Sequence, residues 1–182
     1  MLEKWLLNIS KEVFKTPPFN VLNKIYSKPK NLGKAEAFIL DVPNWANVIA
    51  KNDKNQILLI RQFRFGTDAI ELEIPGGIIE SNEQPQEAAI RELKEETGYE
   101  VKSIKQIGMV ASNPAIMNNK CFTYLAEVGE KGEVAFDPNE IIVSFWADIE
   151  EVKEYIKKGK MLNAYCVLAF LWYCFEDPNF CL

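Results

Sequence analysis

One stretch of the chain, "GGIIESNEQPQEAAIRELKEETGY", constrains the fold more than any other. Proline is favoured at the first position of a helix and glycine just past the last, so Pro85 and Gly98 predict the two ends of one helix. At about 100° per residue, Glu92, Glu95 and Glu96 would lie on one side of it, within an arc of about 100°. Like charges three and four residues apart repel by about 0.2–0.5 kcal/mol per pair. Such a helix needs either full solvation or a bound cation.

Two interpretations of this acidic side stay open. A run such as "RELKEE" is often a solvated charged surface, whereas convergent carboxylates without histidine favour Mg²⁺ or Mn²⁺ over zinc. Gly76 and Gly77 would let the backbone come close to a ligand or ion, and Glu83 would supply a fourth acid. Ala88, one turn earlier, is small enough to leave room for a bound group. Arg91 is spaced to hold and orient a carboxylate.

Composition narrows the chemistry further. The 182 residues include no histidine, which removes Ser-His-Asp and Cys-His catalysis and histidine-containing zinc sites. The net charge of −5 gives no basic field for nucleic acid, so a phosphate-bearing ligand would need local cations or bound metal. Four cysteines without a CxxC pair indicate reduced thiols in a cytoplasmic protein; they are Cys121, Cys166, Cys174 and Cys181.

No segment is expected to enter a membrane. The first residues, "MLEKWLLNISKEVFK", contain no apolar run of signal-peptide length. The apolar stretch "MLNAYCVLAFLWYCF" has 15 residues, fewer than the roughly 20 needed to span a bilayer. It is expected to form a buried or subunit-interface helix.

Strand and helix patterns are mixed without strict alternation, which favours an α/β sandwich around a mixed sheet. Short extended stretches and turn residues in 1–43 predict a small antiparallel β appendage, with the main domain at 44–182. The main domain would begin with a hairpin around "KNDKNQ", and Pro75 would end the strand in "LEIPGG". Further strands are expected near 101–111, 120–128 and 141–147, with helices near 148–158 and from about 161.

The spacing within 77–99 resembles the Nudix hydrolase box. That box is Gly, five residues, Glu, seven residues, Arg-Glu, an apolar residue, any residue, Glu-Glu, any residue, Gly and an apolar residue. The matching residues are Gly77, Glu83, Arg91, Glu92, Leu93, Glu95, Glu96 and Gly98, with Tyr99 a mild departure at the last position. The resemblance implies a Nudix-type α/β/α sandwich with a loop-helix-loop site for divalent metal, Mg²⁺ or Mn²⁺.

The resemblance also implies roles for single residues. Glu92 and Glu96 would bind the metal, and the carbonyl of Gly76 would complete its shell. Glu95 would ligate metal or assist the catalytic base, and Arg91 would orient a glutamate. The metal would neutralise a pyrophosphate and lower the pKa of the attacking water.

Beyond the box, "LLIRQFRFG", "ELEIPGG" and Pro114 in "SNPAIMNN" resemble the ADP-ribose and nucleotide-sugar pyrophosphatase branch. That branch implies that Arg64 and Glu73 face substrate, with Arg61 as a further candidate and Pro114 as part of the substrate-binding set. A surface charge at a strand edge is the alternative for either arginine. Trp45 could stack on a nucleobase, although a core or interface tryptophan is the alternative.

The branch also implies a catalytic acid from a loop late in the fold. Glu140 is the first choice in "GEKGEVAFDPNEIIV", followed by Asp137 and Glu133. An ordinary solvated loop glutamate is the alternative for each.

The expected function is metal-dependent hydrolysis of the pyrophosphate bond of ADP-ribose or a related nucleoside diphosphate sugar. The products would be a nucleoside monophosphate and a sugar phosphate. Two alternatives stay open: a catalytically silent Nudix-fold module that binds a metabolite, and a house-cleaning nucleoside triphosphate pyrophosphatase. Because members of the branch commonly form dimers through a strand-rich N-terminal region, a homodimer through 1–43 is expected.

Overall fold

The protein is represented by a computed structural model that describes residues 2–132 and 141–180. Its contacts divide the chain into two compact units. The first comprises Met1–Asn44 and Ala111–Lys120, and the second comprises Trp45–Val110 and Cys121–Leu182. The sequence pattern gave no indication that residues 111–120 would group with the N-terminal segment. The division into domains at 43/44 stays a hypothesis.

The first unit contains an antiparallel sheet in the order β1-β2-β3, as the appendage was predicted to be. Ala111–Lys120 joins this unit through a bridge between Leu40 and Met117 and a 3.1 Å hydrogen bond from the Val42 N–H to Asn118 Oδ1. Nearly all of β1 is exposed, including large apolar side chains. The strands are β1 (Leu6–Thr16), β2 (Phe19–Ser27) and β3 (Lys34–Asp41), with a short 3₁₀ turn at Pro29–Asn31.

The second unit contains a mixed sheet that, within the described residues, has seven strands. Its main order is β10-β5-β4-β9-β8, while β6 pairs with β5 and β7 pairs with β4. The β4 and β9 strands are parallel, whereas β5 is antiparallel to β4, β6 and β10. The strands are β4 (Trp45–Lys51), β5 (Ile57–Arg64), β6 (Ala69–Glu73), β7 (Gly76–Ile78), β8 (Tyr99–Ala111), β9 (Lys120–Lys131) and β10 (Ile142–Ala147).

The described helices of this unit are α1 (Pro85–Thr97), α2 (Ile149–Lys157) and α3 (Ala164–Glu176). The α1 helix begins and ends where the sequence predicted. Gln84 and Glu87 form a reciprocal capping box before its first turn, and Gly98 closes the last turn in the left-handed conformation at φ 76°. None of the described helices has the length and apolar character that crossing a bilayer requires.

Two hydrophobic cores lie on opposite faces of the mixed sheet, which confirms the predicted α/β/α sandwich. Successive residues of β4 point to opposite faces: Val48 packs in the core that contains Leu93 of α1, and Ile49 packs in the core that contains Phe170 of α3. Ala88 is fully buried in the first of these cores. The expectation that Ala88 leaves room for a bound group was therefore wrong.

The described cysteines are free thiols, as the sequence predicted. Cys121 and Cys166 are buried and Cys174 is half-buried. Burial raises the pKa of Cys121 to about 12, so this thiol stays protonated near neutral pH and is a poor nucleophile. Cys181 lies outside the described residues.

Candidate active site

Arg91 joins the acids of α1 to the loop that precedes the helix. Its Nε and Nη2 donate to the two carboxylate oxygens of Glu83 at 2.8 and 3.0 Å. Its Nη1 donates to Glu92 Oε1 at 2.8 Å and to Glu95 Oε2 at 3.0 Å, and Nη2 also donates to the Ile78 carbonyl at 3.0 Å. All five guanidinium N–H groups therefore have an acceptor. The repulsion expected among the helix acids is offset by this one cation.

The ion pairs around Arg91 shift the proton affinities of both partners. The hydrogen bond from Arg91 lowers the pKa of Glu83, and the Glu80 N–H, which donates to the same carboxylate at 3.0 Å, acts in the same direction. The hydrogen bond to Glu83, followed by the influence of Glu92 and Glu95, raises the pKa of Arg91. Arg91 is therefore a fixed positive charge at the centre of the box.

Gly76 and Gly77 make close contacts that a side chain would block. A Cβ at Gly77 would lie 2.3 Å from the carboxyl carbon of Glu92, and a Cβ at Gly76 would lie 2.4 Å from the Ala46 carbonyl oxygen. Gly77 thus allows the Glu92 carboxylate to lie against the backbone, while Gly76 allows β7 to pack tightly on β4. The sequence predicted close approach at these glycines but attributed it to a ligand or ion.

Glu96 lies deeper than the other box acids, with 4% of its surface exposed. Its Oε2 accepts a 3.0 Å hydrogen bond from the Gly76 N–H. Burial lowers the pKa of Arg64, but its hydrogen-bonded partner Glu73 and the carboxylate of Glu96 together raise it above the ordinary value. Glu96 therefore connects the box helix electrostatically to Arg64 on β5.

Arg64 and Glu73, both predicted to face substrate, form a bidentate ion pair. Arg64 Nε and Nη2 lie 2.9 and 2.7 Å from the two Glu73 carboxylate oxygens. The guanidinium carbon of Arg64 also lies 5.7 Å from the ring centroid of half-buried Trp45, a cation–π distance. The structure thus brings together three of the residues that the sequence nominated for substrate.

Arg61 lies apart from this group. Its guanidinium carbon is 4.9 Å from the ring centroid of Phe145 on the neighbouring strand β10. It pairs in register with Leu72, a member of the core that contains α2 and α3 residues. We therefore do not include Arg61 in the substrate contacts proposed below.

The remaining candidates from the sequence are Pro114 and three acids of a late loop, and none of them has a described contact with the box residues. Pro114 belongs to the first unit, where it is exposed beside a turn in which the Met117 N–H donates to the Asn113 carbonyl. Its role stays a prediction. Glu140, Asp137 and Glu133 lie outside the described residues.

A second polar pair lies beside Arg64 and Glu73, and the sequence analysis did not predict it. Gln62 and Glu71 pair in register on β5 and β6, and both are buried with 6% of their surface exposed. The Gln62 Nε2 has no hydrogen-bond partner in the described structure. Alternation along "RQFR" and "ELEI" could have revealed these residues, because it places them on the same face as Arg64 and Glu73.

The chemistry of the acids fits a hard divalent cation. Within residues 2–132 and 141–180, no three acidic, histidine or cysteine side chains form a group that could hold a metal ion. Mg²⁺ commonly keeps several waters and binds one or two carboxylates plus substrate phosphates, so a complete protein cage is not required. The residues that would hold such a cation are Glu92 and Glu96, whose carboxylates lie beside the consecutive residues Gly77 and Gly76.

Comparison with known proteins identifies the class. The NUDIX domain matches residues 43–166. The chain is 31% identical over 129 residues to the methanol dehydrogenase activator of Bacillus methanolicus, covering 70% of each chain. It is 29% identical over 130 residues to the ADP-ribose pyrophosphatase of Bacillus subtilis strain 168, covering 69% of each chain.

The fold also resembles a solved structure described as an ADP compounds hydrolase. The TM-score is 0.83 with 19% sequence identity, over 98% of this chain and 97% of that one, which supports the fold alone. The family match decides the assignment: the chain belongs to the Nudix domain family, as the box predicted. It is a Nudix hydrolase, and such enzymes generally need a divalent metal.

Proposed function

We propose that this Nudix hydrolase cleaves the pyrophosphate bond of ADP-ribose or a related nucleoside diphosphate sugar. The products are a nucleoside monophosphate and a sugar phosphate. The observation that carries the proposal is the bidentate Arg64–Glu73 pair beside Trp45, in a chain that contains the complete set of Nudix-box acids. A relative named ADP-ribose pyrophosphatase supports the same substrate class.

Glu92, Glu96 and the Gly76 carbonyl are the proposed metal ligands. Bound Mg²⁺ or Mn²⁺ would neutralise the pyrophosphate and lower the pKa of the attacking water. Arg91 holds Glu92 and Glu95 in fixed orientations through its Nη1. This positioning matters because phosphoryl transfer depends mainly on alignment and charge stabilisation.

Glu95 is the proposed proton acceptor among the described residues. Its side chain is 43% exposed, and its Oε2 is bound to Arg91, which leaves Oε1 to accept a proton from water. The water oxygen then bonds to one phosphorus, the bridging P–O bond breaks, and the departing phosphate keeps the bridging oxygen. Glu140 stays the alternative acid proposed from the sequence.

Arg64 and Trp45 are the proposed substrate contacts. Because Arg64 uses Nε and Nη2 for Glu73, its Nη1 donors are available for a phosphate oxygen. Trp45 supplies a flat aromatic surface for the base beside that cation.

The assembly we propose is a homodimer formed through the N-terminal unit. The support is the row of exposed apolar side chains on β1, which a monomer would leave in water. They include Leu6, Leu7, Ile9, Val13 and Phe14. The free buried thiols support a reducing, cytoplasmic setting.

The decisive experiment is a substrate panel with the purified chain and either Mg²⁺ or Mn²⁺. The panel contains ADP-ribose, ADP-glucose, UDP-glucose, NADH and nucleoside triphosphates, with product release followed by chromatography. We expect AMP and ribose 5-phosphate from ADP-ribose, and a loss of at least about 100-fold in kcat for Glu96→Gln. Glu154→Gln, at an exposed position of α2, is the matched control and should keep full activity.

Other outcomes of the substrate panel would favour a different function. Preferential cleavage of a nucleoside triphosphate would indicate a house-cleaning enzyme. Tight binding of ADP-ribose without turnover in either metal would indicate a silent binding module. Turnover unchanged by Glu96→Gln would exclude the box as the catalytic site.

A further inference from the structure

A cavity of about 460 Å³ lies beside β5, β6 and the end of α2, and the reaction proposed above does not use it. In the β5–β6 register, Arg61 pairs with Leu72 and Phe63 pairs with Ile70, so Arg61, Leu72 and Ile70 lie on one face. Glu73, the residue after Leu72, points to the opposite face. The cavity is thus on the other side of β6 from the Arg64–Glu73 pair. Its lining residues are Arg61, Ile70, Leu72, Tyr155 and Lys160.

Aromatic rings rather than carboxylates position both cations of the cavity. The Arg61 guanidinium carbon lies 4.9 Å from the Phe145 ring centroid, and the Lys160 Nζ lies 6.0 Å from the Tyr155 ring centroid. Among the described residues, neither cation has a carboxylate within ion-pair distance. Two positive charges that have no ion-pair partner among residues 2–132 and 141–180 therefore line one cavity, in a chain whose net charge is −5.

The rest of the lining is suited to the organic part of a ligand. Ile70 is 70% exposed although it is apolar, whereas Leu72 is 7% exposed and continues into the core. Tyr155 adds a ring and a hydroxyl. Ligand sites typically have about 300–1,000 Å³ and combine apolar walls with a few convergent polar groups.

We propose that this cavity binds an organic phosphate monoester. A phosphomonoester carries close to two negative charges near neutral pH, which matches one guanidinium and one ammonium. Arg61 can contact two phosphate oxygens with its planar fork, and Lys160 can act as a point charge on the third. Ile70 and Leu72 would contact the carbon skeleton of the ester. The proposal does not depend on the reaction assigned to the box.

The test locates binding directly by NMR on the full chain, labelled at isoleucine and leucine methyls and at arginine nitrogens. EDTA is present, so that a metal-dependent site in the box cannot contribute. The probes are ribose 5-phosphate and AMP, with ribose and adenosine as uncharged counterparts. We expect saturable shifts at the Ile70 and Leu72 methyls and at Arg61 Nε with the phosphates, and none with the uncharged compounds.

A variant without the two positive charges of the cavity tests whether those charges are needed for binding. Arg61→Gln combined with Lys160→Gln should weaken apparent binding at least 10-fold, whereas Lys157→Gln removes one charge from a residue that does not line the cavity and should leave it unchanged. Lys160→Gln alone is the fallback if the double variant unfolds. Equal affinity in the variants, shifts confined to residues of the box, or equal shifts with the uncharged compounds would each overturn the proposal.

Discussion

Arg64 and Glu73 form a bidentate ion pair between β5 and β6, with hydrogen bonds of 2.9 and 2.7 Å. The Glu73 side chain is 4% exposed, so its charge has little access to water if Arg64 is removed. Leaving a buried charge unpaired is costly, whereas replacing both partners together can be nearly neutral. Losing one partner alone should therefore destabilise the fold, separately from any effect on the substrate contact proposed for Arg64.

Removing both partners together should cost less than the sum of the two single losses. We expect Arg64→Met to lower the free energy of unfolding by about 1–3 kcal/mol, and Arg64→Met with Glu73→Gln to recover part of that loss. Urea unfolding of the two single variants, the double variant and the parent measures the coupling. The exposed pair Glu154–Lys158 is the control and should show much weaker coupling. Additive losses at Arg64 and Glu73 would contradict the prediction.

Arg91→Lys should keep the positive charge but lose the planar arrangement of donors. A lysine cannot bind Glu83, Glu92 and Glu95 at once in the geometry seen here, so the acids lose their fixed orientation. We expect a fall of about 10–100-fold in kcat or in metal affinity, measured by steady-state kinetics over a range of Mg²⁺ concentrations. Lys94→Arg, at an exposed ion pair on the same helix, should have no effect. Full activity of Arg91→Lys would argue against an orienting role.

The two neighbouring glycines should respond differently to alanine. At Gly76 the added Cβ meets backbone of β4, which cannot move easily, so we expect a loss of about 1–3 kcal/mol in the free energy of unfolding. At Gly77 it meets the flexible end of Glu92, so the fold should persist while activity falls at least about 10-fold through displacement of a proposed metal ligand. Thermal melting and kinetics on both variants separate the two effects. Wild-type activity of Gly77→Ala would rule out a need for Glu92 in its present position.

Lowering the pH should weaken the ion pair between Glu83 and Arg91. Because hydrogen bonding to Arg91 holds the pKa of Glu83 below the ordinary value of 4.5, the pair stabilises the fold above pH 4.5. That contribution is lost as the pH falls below 4.5 and through the lower folded-state pKa. The difference in unfolding free energy between the parent and Glu83→Gln should therefore be constant from pH 7 to 5 and shrink as the pH falls below 4.5. A difference that grew with acid would contradict this sign.

Local sequence signals predicted the elements of the box well because their physical causes are local. Proline at the first helical position and glycine after the last defined α1, and the turn residues of "KNDKNQ" predicted the hairpin of β4 and β5. Alternation along β5 could also have separated Arg61 from Arg64, since residues three apart on a strand lie on opposite faces.

Other features depend on contacts between segments distant in the chain. The grouping of Ala111–Lys120 with the N-terminal unit rests on β3 contacts that spacing does not encode. Gly77 leaves space for the Glu92 carboxylate only because α1 packs on β7, and the sequence spacing does not show this packing. Ala88 was misplaced for a similar reason, because angular position on an isolated helix does not show how wide the buried face becomes.

The hydrogen bonds donated by Arg91 affect whether α1 can form before a metal ion binds. Four carboxylates and one guanidinium leave this part of the molecule negative, yet each carboxylate already has a hydrogen-bond donor from the protein. The newly made chain can therefore complete α1 before any ion arrives. At the metal site proposed above, a cation would then bind carboxylates that Arg91 already orients, and folding would not have to wait for it.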